Sequence, residues 1–171
     1  TVGYDHIDLA YARKIGIHIG NATYASESVA DYTIMLILMA LRKMKLILQS
    51  AVSQDYSFDA VLGSNLKGKT LGVIGTGAIG QTLIRHIAGF GCRILAYNPH
   101  PRKEMEQYVT YVDLNTLYQN SDIITLHVPL NDATYHLLNE AAFARMKPGV
   151  IIVNTARGPL IDNTALIAAI E

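Results

Sequence analysis

From Thr70 to the end of the chain, short runs of branched apolar residues alternate with segments of helical spacing. "TLGVIG", "RILAYN", "DIITLHVP" and "GVIIVNT" read as strands, and "VTYV" as a weaker one. "AIGQTLIRHIAGFG", "DLNTLYQN", "NEAAFARM" and "DNTALIAAIE" read as helices between or after them. A helix between strands takes the chain back to its starting edge, so neighbouring strands run the same way. The pattern predicts an α/β fold, a parallel sheet with helices on both faces.

Two glycine-rich stretches match phosphate-binding patterns, and only one has the right surroundings. "GSNLKGKT", residues 63–70, satisfies G-x-x-x-x-G-K-[ST]. That loop needs a helix starting at its Lys-Thr. Thr70 is followed by "LGVIGTG", too rich in β-branched residues and glycine for a helix, so the match is one of composition. "GTGAIG", residues 75–80, is G-x-G-x-x-G between a predicted strand and a predicted helix, with a second strand beyond. In a βαβ unit Gly75 permits the tight turn, Gly77 lets backbone approach a pyrophosphate, and Gly80 allows close helix–strand packing. The amides around Ala78 and Ile79 would then face phosphates from the helix N-terminus. The expected cofactor is a dinucleotide, NAD or NADP.

Asn98 ends the second strand, where an acidic residue usually grips the ribose hydroxyls and selects NAD. Asparagine bonds ribose without repelling a 2′-phosphate. His100 and Arg102 follow, either to neutralise such a phosphate or as solvated loop residues.

"GVIIVNTARGPL", residues 149–160, places a lone cation after a run that reads as a fully buried strand. Ligands of open α/β sheets bind beyond the carboxyl ends of the strands, where residues 155–157 fall. Arg157 is therefore either a ligand-binding cation or one half of a strand-end salt bridge, with Asp162 as the partner.

Composition removes several classes. Fourteen basic and fourteen acidic side chains in 171 residues give no net charge, which argues against a nucleic-acid partner. The longest apolar run, Ile34–Leu41, falls well short of the ~20 residues of a membrane span. One cysteine, Cys92, excludes an internal disulfide and suits a reducing, cytoplasmic setting; it reads as a small buried hydrophobe. Histidines 6, 18, 86, 100 and 136 show no metal-ligand spacing, so no metal is expected. Upstream, "HIDLAYARKIG" has helical spacing, Ile17–Ile19 is a short strand candidate, and 53–69 reads as loop. Residues 28–48 read as one long helix, started by a capping box at Ser28 and Asp31 and apolar around most of its circumference. Such a helix is covered by its own domain and a two-fold partner, or buried wholly within one chain. The chain starts without Met and stops mid-helix by pattern, as an interior piece of a longer protein would.

"TVGYDHID", "SVADYT", "LKGKTLGVIGTGAIG", "DIITLHVPLNDAT" and "MKPGVIIVNTARGPLID", in this order, resemble the D-isomer-specific 2-hydroxyacid dehydrogenases. Within them the likeness is greatest to the D-lactate dehydrogenases, including those serving vancomycin resistance, and it covers essentially the whole chain. It implies a Rossmann-type doubly wound parallel sheet over residues 22–171, truncated at its C-terminal side, with a linking and dimerisation helix at about 28–48. Residues 1–21 would be a remnant of the substrate domain. The implied activity is reduction of a short 2-oxo acid such as pyruvate to the D-2-hydroxy acid by NAD(P)H, in a homodimer.

The same resemblance assigns residues. Arg157 would bind the substrate carboxylate and polarise its carbonyl, a bidentate task suited to guanidinium. Val2, Gly3 and Tyr24 would meet substrate. Gly75, Gly77, Ala78, Ile79 and Gly80 would hold pyrophosphate and Asn98 the adenine ribose, with His127, Val128, Pro129, Thr134, Thr155, Ala156 and the Arg157 backbone along the cofactor pocket. The family's proton-donating histidine, its glutamate and the aspartate at the nicotinamide carboxamide would lie beyond residue 171. His127 falls on the cofactor side and is not read as the donor. The chain alone would therefore bind and orient without proton transfer. Two rival readings are a relative acting on phosphoglycerate, glyoxylate or a branched 2-oxo acid, and a dinucleotide-sensing interaction protein like the corepressors that share this fold.

Overall fold

A computed structural model describes residues 3, 6–22, 25–57 and 62–171, so the expectations for Val2 and Tyr24 lie outside the described residues. Five strands, β1 (Thr70–Ile74), β2 (Arg93–Tyr97), β3 (Thr110–Tyr111), β4 (Ile123–Leu126) and β5 (Ile151–Asn154), form one parallel sheet. Their order is β3-β2-β1-β4-β5. This is the doubly wound order of a Rossmann-type fold, and the winding reverses between β1 and β4. Thr70 opens a strand, after a turn in which Gly68 has φ 81°, so the loop 63–70 lacks the helix that a nucleotide-triphosphate loop requires.

The helices α4 (Ala78–Ile87), α5 (Leu114–Asn120) and α6 (Glu140–Phe143) connect the strands, and α7 (Asn163–Ile170) follows β5. Strand side chains alternate between two cores. Leu71, Val73 and Ile123 pack with Leu83, Ile84 and Ile87 on one face. Ile74, Ile124 and Leu126 pack with Leu117, Leu138 and Leu160 on the other. Each such residue contributes roughly 1.5–3 kcal/mol by leaving water, so β1 and β4, buried on both faces, anchor the sheet.

Upstream lie α1 (Leu9–Lys14), α2 (Glu27–Leu41) and α3 (Met44–Val52). The single long helix expected over 28–48 is thus two helices. The break is at Lys43, whose φ is 52°. In a continuous helix the Leu41 carbonyl would accept from residue 45; here it accepts from the Ser64 amide at 2.8 Å, as the loop before β1 crosses the helix end. The capping box at Ser28 and Asp31 does not form either. The helix starts at Glu27, and Ser26 caps it with no side-chain bond. The Ser26 hydroxyl instead meets Thr82 of α4 at 2.8 Å, and the Asp31 carboxylate meets His86 at 2.8 Å. Tertiary bonds to α4 have claimed the Ser26 and Asp31 side chains.

α2 buries Ala30, Thr33, Ile37 and Leu41 and exposes Tyr32, Met35 and Met39 on its other side. Its all-round apolar sequence resolves into one covered face and one bare face. Ile17 and Ile19 form no strand, and both are exposed. Cys92 is half-buried against the first core, and burial pushes its thiol pKa up. Among the described residues no helix is long and apolar enough to cross a membrane.

Candidate active site

The carboxyl ends of β1 and β4 meet in a turn that only glycine can make. Gly75 has φ 99°, and a Cβ there would sit 2.5 Å from the His127 carbonyl oxygen and 2.9 Å from Val128 Cγ1. A Cβ on Gly80 would collide with the Gly75 carbonyl oxygen. Gly77 is different. It is extended, with φ −71° and ψ −168°, and a Cβ there would meet nothing within 4 Å. The protein's own packing therefore requires the first and third glycines but not the second. Gly77 also starts α4 without a side-chain cap, and Ala78 beside it is exposed. Open space over an uncapped helix N-terminus suits a pyrophosphate, whose charge the amides and helix dipole favour.

At the end of β2 the Asn98 side chain reaches toward this turn. Its Oδ1 accepts from the Thr76 amide at 3.2 Å, and its Nδ2 donates to the His100 carbonyl at 2.7 Å. Tyr111 on β3 donates its hydroxyl proton to Thr76 Oγ1 at 3.0 Å and accepts from the Arg102 amide at 3.1 Å. The side chains of His100 and Arg102 belong to exposed residues at this edge.

Beyond β5 the chain turns sharply. Asn154 Oδ1 accepts from the Ala156 amide at 3.0 Å while its Nδ2 donates to the Arg157 carbonyl at 2.8 Å, so one side chain folds residues 154–157. Arg157 is half-buried, with Nη1 donating to the Ala156 carbonyl at 3.0 Å. Asp162 serves elsewhere as well: it caps α7 through the Thr164 amide at 2.9 Å and lies 3.6 Å from His136 Nδ1.

The expected residues that follow β4 and β5 flank the same edge. His127 follows β4, its Nε2 bonded to the Thr125 hydroxyl at 3.0 Å, and burial pushes its pKa down to about 4. At neutral pH it is an uncharged imidazole, poorly suited to donating a proton. Val128 is half-buried and Pro129 exposed, and the Thr134 hydroxyl donates to the Pro129 carbonyl at 2.6 Å, closing the loop after β4. Thr155 contacts Thr33 of α2, and Gly3 is half-buried.

Comparison with known proteins decides the family. Residues 34–171 match the model of the D-isomer specific 2-hydroxyacid dehydrogenase NAD-binding domain. The chain belongs to that family. It is 45% identical over 171 residues to a D-specific alpha-keto acid dehydrogenase of Enterococcus faecium, covering 100% of this chain and 52% of that protein. It is 43% identical to a D-lactate dehydrogenase of Escherichia coli K12, covering 99% and 52%. The structure of an Aquifex aeolicus D-lactate dehydrogenase complexed with NAD and lactic acid superposes with a TM-score of 0.92 at 39% identity, covering 99% of this chain and 52% of that one. The chain thus spans about half the length of these relatives.

As a 2-hydroxyacid dehydrogenase NAD-binding domain, the chain brings the turn 75–80, Asn98, residues 127–129 and Thr155–Arg157 to one edge of its sheet. Sequence reasoning missed Thr76, Tyr111, Thr33 and Asn154. Asn154 was readable: asparagine two residues before a turn amide is the signature of an Asx turn. The other three act across the fold and leave no local pattern.

Proposed function

We propose that the whole protein reduces a short, pyruvate-like 2-oxo acid to its D-2-hydroxy acid with NADH, and that this chain supplies the cofactor site and the substrate-orienting arginine. The observation carrying this reading is Gly77: a Cβ there would meet nothing within 4 Å, yet it lies between two glycines that packing demands. Bound there, the dinucleotide supplies the hydride. The residues of this chain do the rest of the holding. Ala78 and Ile79 offer amides to the pyrophosphate, and Asn98 bonds the adenine ribose. Because Asn98 carries no charge, and His100 and Arg102 are exposed beside it, the site also admits NADPH.

Arg157 meets the substrate carboxylate with its planar fork and polarises the adjacent carbonyl as negative charge develops on oxygen. Gly3, Val2 and Tyr24 contribute from the substrate side, with residues 1–21 as the end of the substrate domain. Proton donation falls to a histidine outside these 171 residues, so the chain alone binds without turning over. A homodimer forms across the bare face of α2, where Tyr32, Met35 and Met39 are exposed, continued by Leu46 and Leu48 of α3.

The test is NADH oxidation with pyruvate by the whole protein. Arg157→Lys, which keeps the charge but loses the fork, is expected to lower kcat/KM by about 100-fold or more while NADH affinity holds. Tight NADH binding without turnover of any 2-oxo acid would instead favour a dinucleotide sensor.

A further inference from the structure

The glycine turn and the segment after β2 share their supports. Thr76, wholly buried between Gly75 and Gly77, receives Tyr111 at its hydroxyl and gives its amide to Asn98. Tyr111 also receives the Arg102 amide, and Asn98 also grips the His100 carbonyl. Two side chains, from β3 and from the end of β2, therefore tie together the pyrophosphate edge and the ribose edge of the site. β3 itself is two residues long and, among the described residues, pairs only with β2, so its backbone ladder does little to hold the turn. The phenol hydroxyl is its link to Thr76.

From this geometry we infer that Tyr111 is a positioning residue for the dinucleotide, setting the spacing between the turn 75–80 and the segment 98–102 without touching the cofactor. The inference rests on the dinucleotide reading above. A dinucleotide must satisfy both edges at once. A clamp that fixes their separation beforehand spares the ordering cost that binding would otherwise meet. Without the hydroxyl, Arg102 and Thr76 lose a common partner and the two segments move independently. The ring of Tyr111 packs against the first core, and phenylalanine preserves that contact.

The experiment compares wild type and Tyr111→Phe of this chain. Amide exchange followed residue by residue by NMR tests the clamp in the free protein. In Tyr111→Phe both the Arg102 and Thr76 amides are expected to exchange about tenfold faster, although Thr76 donates to Asn98 and not to Tyr111. NADH affinity, by calorimetry, is expected to fall by about tenfold in Tyr111→Phe. Faster exchange at Arg102 alone with NADH affinity unchanged overturns the inference and leaves the dinucleotide site standing. Equally faster exchange throughout β1–β5 also overturns it, since the hydroxyl would then serve only general stability. A folded wild type that binds no NADH defeats the dinucleotide reading, and this inference with it.

Discussion

The side-chain oxygens of Thr33 and Thr155 lie 2.9 Å apart, joining the middle of α2 to the turn that carries Arg157. Thr33 is fully buried and donates its own proton to the Val29 carbonyl at 2.7 Å, so Thr155 is the donor between them. The helix proposed as a dimer surface is thus bonded directly to the turn proposed to orient substrate. Thr33→Val keeps the shape and removes the acceptor. It is expected to cost about 1–2 kcal/mol in urea unfolding. In the whole protein it should raise KM for the 2-oxo acid severalfold, with NADH affinity unchanged. An unchanged KM would confine this pair to stability.

The pH dependence of stability follows from His127. Its folded pKa is about 4, against an unfolded value near 6.5. Below pH 6.5 the unfolded chain takes up a proton that the folded chain refuses. Stability from this group is therefore complete above pH 6.5 and falls until about pH 4, by about 3 kcal/mol in all. His127→Gln, neutral throughout, should lose less than wild type between pH 7 and 4.5 in urea titrations. Equal losses would show that the imidazole does not titrate as its burial requires.

Tyr118 offers a gain. It is 4% exposed, its hydroxyl has no hydrogen-bond partner among the described residues, and burial pushes its pKa up to about 12. A buried hydroxyl without a partner costs folding free energy. Tyr118→Phe is expected to stabilise the chain by about 1 kcal/mol, read as a higher thermal midpoint. A lower midpoint would mean that the hydroxyl has a partner in solution.

Much of this architecture was legible because its signals are local. The branched runs at Thr70–Ile74, Ile123–Leu126 and Ile151–Asn154 have the period and length of buried strands, and "GTGAIG" states its turn outright. What misled was decided at a distance. Nothing near Lys43 announces a helix break, because the Leu41 carbonyl is claimed by Ser64, which arrives from another segment. Ser28 and Asp31 have capping chemistry, but His86 takes the aspartate and the helix is capped two residues earlier, at Ser26. At the candidate site the glycines and Arg157 were visible from motif and spacing. Thr76, Tyr111 and Thr33 were not, since their roles exist only once strands or helices far apart in sequence meet.

Asn98 makes a prediction about cofactor choice. Asn98→Asp keeps an acceptor for the Thr76 amide but places a carboxylate where a 2′-phosphate would lie. NADPH affinity is expected to fall at least about tenfold relative to NADH. Parallel losses for both dinucleotides would remove Asn98 from the discrimination.

The most direct measurement is calorimetric titration of NADH into this chain and into Gly77→Val, with thermal midpoints recorded for both. The extended backbone at Gly77 and the empty space around it accept valine without strain, so the two proteins should melt within a few degrees of each other. Wild type is expected to bind NADH at one saturable site, and Gly77→Val to bind at least about 100-fold more weakly, because its side chain occupies the pyrophosphate's place. Equal NADH affinity in the two folded proteins, or none in wild type, would contradict a dinucleotide site at this turn.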